Sequence, residues 1–327
     1  MGDDDSEALR LAAAFSARAP SLYNARPWRW EVGGGALRLL ATGPRLPAAD
    51  PAGREVIISC GAALHHAVLA LAALGRRVRV RLVPDAAALA VVEPGERGDP
   101  SPEAISLLRA AWVRRTDRRQ YAAEPVPAAL LDLLTRADQR AGVAVVVLEG
   151  DDRYALTRSF AKAAFLHGFS ARYRDELAAW TGLRSAAGTT GVHRESAPEP
   201  GTRYGDLVLR DFGRAAVAHE EVGTARNAGN ILLVSTAADD DRAHLMAGEA
   251  TSAVLCTAVR EGLATSPLSE GFEIDSTRAT IRDEIATGLE HPQLAVRVGW
   301  PPDLRPPPPA PDRTARELLS DFAEEHG

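Results

Sequence analysis

The residue types best suited to chemistry gather in one short stretch, Arg114-Arg115-Thr116-Asp117-Arg118-Arg119. It follows an apolar run, "ISLLRAAWV", that reads as the end of a helix. Four arginines and a threonine at a helix end suit an anion with several oxygens. The planar guanidinium fork matches phosphate bidentately, and the Thr116 hydroxyl can donate a further bond. Asp117 would orient the fork or pair with a neighbouring arginine. The competing reading is a solvated basic helix end, where cations meet the negative end of the dipole. That reading does not explain why Thr116 and Arg118 sit where the helix breaks.

Two further stretches carry polar groups in unusual settings. In "APSLYNARPWRW", Asn24 can offer both a donor and an acceptor to the edge of a heterocycle. The alternative is an Asx-turn before a hairpin. Trp28 and Trp30 of the same stretch read as core. In "GLATSPLSEGF", a glycine-containing loop after a helix exposes N–H groups that can approach a flat ring closely.

Elements at helical and alternating spacing must position these stretches. "SEALRLAAAFSAR" predicts a helix over Ser6–Arg18, and "WRWEVGGGALRLLA" predicts a β-hairpin. "LPAADPAGREVIIS" reads as a loop leading into a nearly all-apolar helix that ends at Gly75. "RVRVRLVP" is a strand with one wet face, and "DAAALAVVEPGERGDPSPE" a short apolar segment with a turn-rich connection. Beyond Pro102 the pattern predicts helices in "PEAISLLRAAWVRR" and "AALLDLLTRADQRAG", a buried strand "VAVVVLEG", and one long helix from Asp151 to Gly182. Leu183 to Gly205, rich in Gly, Ser, Thr and Pro, reads as a lid or binding loop. A buried strand "NILLVSTA", a capped helix, the loop "LATSPLSEG", a last strand "LAVRVGWP" and a polyproline arm complete the chain.

The order predicts an α+β protein, with helices around a mostly antiparallel or mixed sheet. No G-x-G-x-x-G follows a strand, which argues against a Rossmann fold. The helices Gly61–Gly75 and Gly248–Gly262 resemble one another, a weak sign of internal repetition.

Composition excludes several classes. The chain has 327 residues, 46% hydrophobic and 25% charged, the profile of a soluble globule. A net charge of -6 argues against a general nucleic-acid or membrane binder. Cys60 and Cys256 read as small buried hydrophobes of a reducing compartment. The adjacent His65 and His66 point about 100° apart on a helix, so no metal site is expected. The acidic N-terminus is not a signal peptide, and no apolar run is expected to reach the roughly 18 residues of a membrane span. These features predict a cytoplasmic protein.

Taken together, the three stretches resemble the FMN-dependent nitroreductase superfamily, and most closely its Acg-like actinobacterial branch. "APSLYNARPW" resembles the family's P-S-x-x-N-x-Q-P-W, "RRTDRR" its R-R-S-x-R, "AVREGLATSPLSEGF" its helix and loop ending P-I-E-G-F, and "LAVRVGWP" its L-x-x-x-G-Y-P strand. The resemblance implies a nitroreductase-like fold and bound FMN. Arg114, Arg115, Thr116 and Arg118 would hold the phosphate and the pyrimidine edge of the ring. Ser21 and Asn24 would face the cofactor, with Arg26 where the family has glutamine. Pro267, Leu268, Ser269, Glu270 and Gly271 would form the loop near the flavin N5, contacting it through backbone amides. Arg313 in the C-terminal arm would reach the phosphate. FMN carries roughly -1.5 to -2 of charge on that phosphate, which the arginines would neutralise.

The motifs stand in permuted order, with P-S-x-x-N before R-R-T, as in the Acg-like branch. That order implies two half-copies imitating the usual dimer, residues 1–100 and 101–327, and hence a monomer. Residues 183–205 would form a lid over the flavin, with His193 and Tyr204 as substrate-facing candidates. The implied activity is electron transfer from NAD(P)H through FMN to a nitroaromatic, quinone or enone. FMN sequestration without turnover and an FMN-dependent biosynthetic dehydrogenase are the alternatives, and no protein acid or base is assigned.

Overall fold

The computed structural model describes residues 3–43, 45–83, 88–181, 190–198, 202–212, 229–285, 288–308 and 319–321. Helix α1 (Asp3–Ser16) precedes a hairpin of β1 (Trp28–Gly33) and β2 (Ala36–Ala41). Helix α2 (Arg54–Ala73), β3 (Arg76–Leu82) and β4 (Ala90–Arg97) follow. These strands and β11 (Leu319–Asp321) form a five-stranded sheet in the order β11-β1-β2-β4-β3. It is antiparallel except for the parallel pairing of β1 with β11. The second half holds α3 (Pro102–Val113), α4 (Ala128–Thr135), β5 (Val143–Leu148), α5 (Gly150–Phe169) and α6 (Ala171–Thr181). A small hairpin of β6 (Arg203–Tyr204) and β7 (Leu207–Val208) precedes β8 (Asn230–Thr236). Helix α7 (Asp241–Arg260), β9 (Ala264–Leu268), α8 (Asp275–Glu284) and β10 (His291–Gly299) close the second sheet, ordered β5-β8-β10-β9 and antiparallel throughout. The α+β architecture expected from the sequence is the one observed.

The run "NILLVST" is apolar without alternation because helices cover both faces of the second sheet. Ile231 and Leu233 pack with α5 and α8, and Leu232 and Val234 pack with α4 and α7. Trp28 and Trp30 are core residues, as expected, at 1% and 0% exposure.

Helix α2 packs against α1, α3, α7 and the first sheet, which explains its apolarity on all sides. Contrary to expectation, one helix among the described residues is long and apolar enough to span a membrane, and it is α2. Its qualifying window is 72% buried within the protein, the setting of a core helix. α2 also starts earlier than the sequence suggested. "REVIIS" is helical because the Asp50 carboxylate accepts from the N–H groups of Glu55 (3.1 Å) and Val56 (2.9 Å), satisfying the first turn.

Other segments differ from the sequence expectation. "AVVEPGER" is a full strand, β4, because β2 and β3 flank it on both sides. The first part of the expected loop "LATSPLSEG" is β9, and its Pro267 is tolerated at a sheet edge. The long helix after Asp151 breaks at Ser170, whose backbone is extended (φ -88°, ψ 105°). Helix α8 carried no assignment from sequence.

Helices α2 and α7 cross with local two-fold geometry. A Cβ on Gly61 would lie 2.0 Å from the Leu245 carbonyl oxygen, and one on Gly248 would lie 1.9 Å from that of Ile58. The two contacts are related by a shift of 187 residues, the separation that also joins His65 Nδ1 to Ser252 Oγ at 2.9 Å. Gly75 and Gly262, related by the same shift, both end their helices with positive φ (73° and 83°).

Candidate functional site

A cavity of about 400 Å³ opens beside this crossing, lined by α2, α7, the strand β9 and the turns that carry the arginines and Asn24. Its first wall is the turn at Ser21–Arg26. Tyr23, Asn24 and Arg26 all have positive φ (49°, 55° and 48°), a conformation that costs about 1–3 kcal/mol per non-glycine residue. The Ser21 hydroxyl stabilises it by accepting from the Arg26 N–H (2.9 Å), and Ser59 Oγ accepts from the Leu22 N–H (3.3 Å).

Its second wall is the arginine stretch. Thr116 bridges Thr265 in parallel, and the Asp117 N–H donates to the Thr265 carbonyl (2.8 Å), so the stretch extends the free edge of β9. Asp117 pairs with Arg119, which also binds Asp303 (3.0 Å). Arg119 is thereby directed away from the cavity, whereas Arg114, Arg115, Thr116 and Arg118 line it. Arg297, buried behind the turn, donates to the carbonyls of Asp117 (3.1 Å) and Arg119 (2.7 Å) and stacks on Tyr121 (3.9 Å).

The cavity is electrostatically positive at this wall. Among the described residues, Nε and Nη1 of Arg114 are buried with no hydrogen-bond partner. Burial pulls Arg114 below its ordinary pKa. Burial, with Arg210 and Arg297 nearby, pushes Arg118 down to about 10. Two desolvated guanidiniums with no carboxylate partner among the described residues suit an anion arriving from outside.

The third wall joins β9 to the turn after it. Pro267, Leu268, Ser269 and Glu270 line the cavity. Gly271 stands behind the wall, where a Cβ would meet the Phe160 ring at 2.4 Å. Residues 191–198 and 208–212 supply much of the remaining enclosure. Asn24 Nδ2 donates to the Gly191 carbonyl (3.2 Å), Arg118 Nη1 donates to that of Ser196 (3.2 Å), and the Arg118 guanidinium lies over Phe212 at 5.0 Å. His193 lines the cavity. Tyr204, the other substrate-facing candidate, does not: it is buried in the core, where its hydroxyl donates to the Arg118 carbonyl (3.1 Å), because its strand packs inward. Arg115 Nη1 donates to the Pro307 carbonyl (3.2 Å), which brings the polyproline arm to the cavity. Arg313 lies outside the described residues, as do 183–189 and 199–201 of the expected lid.

A cluster of buried polar residues at the far end was not legible in the sequence. Arg210 pairs with Glu273 and donates to Ser269 Oγ (2.9 Å) and the Tyr23 hydroxyl (2.6 Å); its Nη1 also bonds the Tyr173 hydroxyl. Burial works against the charge of Arg210, and Glu273 overcomes it, raising its pKa well above the ordinary value. Burial pushes Glu55, on the cavity wall, up to about 7. Tyr173 and Arg210 lie in segments with no motif, far in the chain from Tyr23, whose own stretch was singled out for Asn24.

The fold also brings Cys256 to His65 and His66, with one ligand atom of each within 4.8 Å of the others. Sequence spacing did not suggest this group, because its third member comes from α7. Burial, with His65, Arg114 and Arg18 nearby, holds His66 well below its ordinary pKa.

No protein-family model matches the chain. A Mycobacterium tuberculosis protein provisionally named NAD(P)H nitroreductase is 36% identical, the match covering 96% of this chain and 92% of the relative. A second, provisionally named NAD(P)H nitroreductase acg, is 32% identical across 98% of both chains. Among solved structures, an FMN- and NADPH-dependent nitroreductase, NfnB, from a Sphingopyxis strain covers 65% of this chain and 97% of its own, at 15% identity and a TM-score of 0.39. A Bacteroides fragilis nitroreductase with bound FMN covers 61% and 90%, at 13% identity and a TM-score of 0.38. On the near full-length identity to the two mycobacterial proteins, the chain belongs to the NAD(P)H nitroreductase family of oxidoreductases, alongside acg.

Proposed function

We propose that the cavity holds FMN and that the protein passes electrons from NAD(P)H to a nitroaromatic, quinone or similar acceptor. The observation that carries this is Arg114, whose two buried nitrogens have no partner among the described residues at a cavity wall. A phosphate dianion would satisfy them, with Arg115, Thr116 and Arg118 beside it. Ser21, Arg26 and the strained turn would bound the ring on one side, and the segment Pro267–Glu270 would bound it on the other. Bound there, FMN would supply reversible two-electron chemistry, while the protein fixes its orientation and excludes water.

A second reading, FMN sequestration, draws on the wall at 191–198 and 208–212, tied down by Asn24 and Arg118. The two-fold crossing of α2 and α7 supports an internally duplicated chain that acts as a monomer, which sizing would test.

The test is the visible spectrum of the purified protein, before and after soaking in FMN, followed by NAD(P)H and menadione. Flavin bands bleached by NAD(P)H, with steady turnover, are expected. A protein that stays colourless sinks both readings. Bound flavin that NAD(P)H cannot reduce leaves sequestration.

A further inference from the structure

Glu270 begins the 3-10 turn after β9, at the cavity wall, and is only 4% exposed. Its two oxygens have different surroundings. Oε1 lies 3.3 Å from His167 Nδ1, while Oε2 is buried with no partner among the described residues. His167 stands in the last turn of α5 and retains 7% exposure. Its ring stacks on Tyr173, with centroids 3.6 Å apart and planes 7° apart, so the imidazole is held in one orientation. The pair therefore joins the cavity wall to a buried imidazole that retains slight exposure.

We propose that Glu270 and His167 form a proton relay that delivers solvent protons to the electron acceptor reduced in the cavity. This rests on the oxidoreductase reading above. A quinone that becomes a hydroquinone takes up two electrons and two protons. One proton arrives with the hydride equivalent drawn ultimately from NAD(P)H, which is oxidised. The Glu270 carboxyl gives the other to the developing oxyanion. Glu270 recovers its proton from His167, and His167 recovers its own from water. General acid assistance of this kind contributes roughly 10²–10⁴-fold.

The charged and titratable groups around the pair have other engagements. Arg210 neutralises Glu273, and Tyr23 and Tyr173 bond to Arg210. Glu55 on α2 pairs with Arg54. Glu270 lines the cavity and has one buried oxygen without a partner among the described residues, and His167 is in contact with its other oxygen, an arrangement that can pass a proton through.

The experiment compares wild-type holoprotein with His167→Gln and Glu270→Gln. FMN content is read from the visible spectrum, and oxidation of the reduced protein by menadione is followed in single turnovers against pH, in H2O and D2O. Both variants should keep FMN and oxidise roughly 100-fold more slowly. The double variant should be no slower than either single one, because the two act in series. In the apoprotein, the nitrogen NMR signals of the His167 imidazole report its contact with Glu270, and Glu270→Gln should shift them. Wild-type rates and an unchanged pH profile in both variants would overturn the relay, as would His167 signals that Glu270→Gln leaves unmoved. If wild type takes up no FMN, the reading of the cavity fails, and the NMR comparison still judges the pair.

Discussion

Gly61 of α2 and Gly248 of α7 face each other's helix backbone, each within van der Waals reach of a carbonyl from the partner helix. The two helices meet there with no side chain between them, and both line the cavity. Gly61→Ala or Gly248→Ala places a methyl about 2 Å from a carbonyl oxygen that cannot swing aside. Overpacking of this kind costs about 1–3 kcal/mol, and more where backbone must move. A lowered melting temperature for both variants is expected; a wild-type melt would show that the helices can separate freely.

Arg114→Ala should reduce FMN affinity by roughly 10- to 100-fold, since a charge-assisted bond contributes about 1.5–3 kcal/mol. Riboflavin, which lacks the phosphate, should bind wild type and variant alike. Titration of flavin fluorescence separates the two ligands. An equal loss for both would place Arg114 at the ring or in the fold, not at the phosphate.

Arg210→Ala leaves the Glu273 carboxylate buried beside two tyrosine hydroxyls with no cation. Breaking a buried pair from one side costs about 3–5 kcal/mol. Arg210→Ala with Glu273→Gln should regain part of that loss, because the stranded charge is gone. Denaturant midpoints of the single and double variants check this, and simple additivity would deny the pairing.

The helix crossing also sets a pH dependence with two opposed signs. Burial, with Arg140 near, pushes His65 down to about 4 from an unfolded value of about 6.5. The stability from neutral His65 is therefore present above about 6.5 and lost as pH falls towards 4. Burial pushes Glu249 up to about 7 from 4.5, against the opposing pull of Arg140. Its contribution is present below about 4.5 and lost as pH rises through 7. Relative to wild type, His65→Gln should flatten the acid side of the stability profile, and Glu249→Gln the neutral side. Melting temperatures across that range decide both.

Local pattern picked out the arginine stretch and the Asn24 turn and placed most of the hydrophobic helices, several buried strands and the α+β class, while the role given to the loop at Ser269 came from the family resemblance. Those features depend on residue type and short-range spacing, which the chain carries wherever it folds. Four things depended on tertiary structure. Asp50 reaches across a loop to start α2 at Arg54, and β4 becomes a strand only because β2 and β3 flank it. Arg210, Tyr23, Tyr173 and Glu273 meet from four distant segments, and a buried ion pair leaves no periodic trace in any of them. Which arginine faces the cavity and which is neutralised was also undecided locally. Asp117 and Asp303 bind Arg119, two buried nitrogens of Arg114 have no partner among the described residues, and long-range contact sets that division of charge.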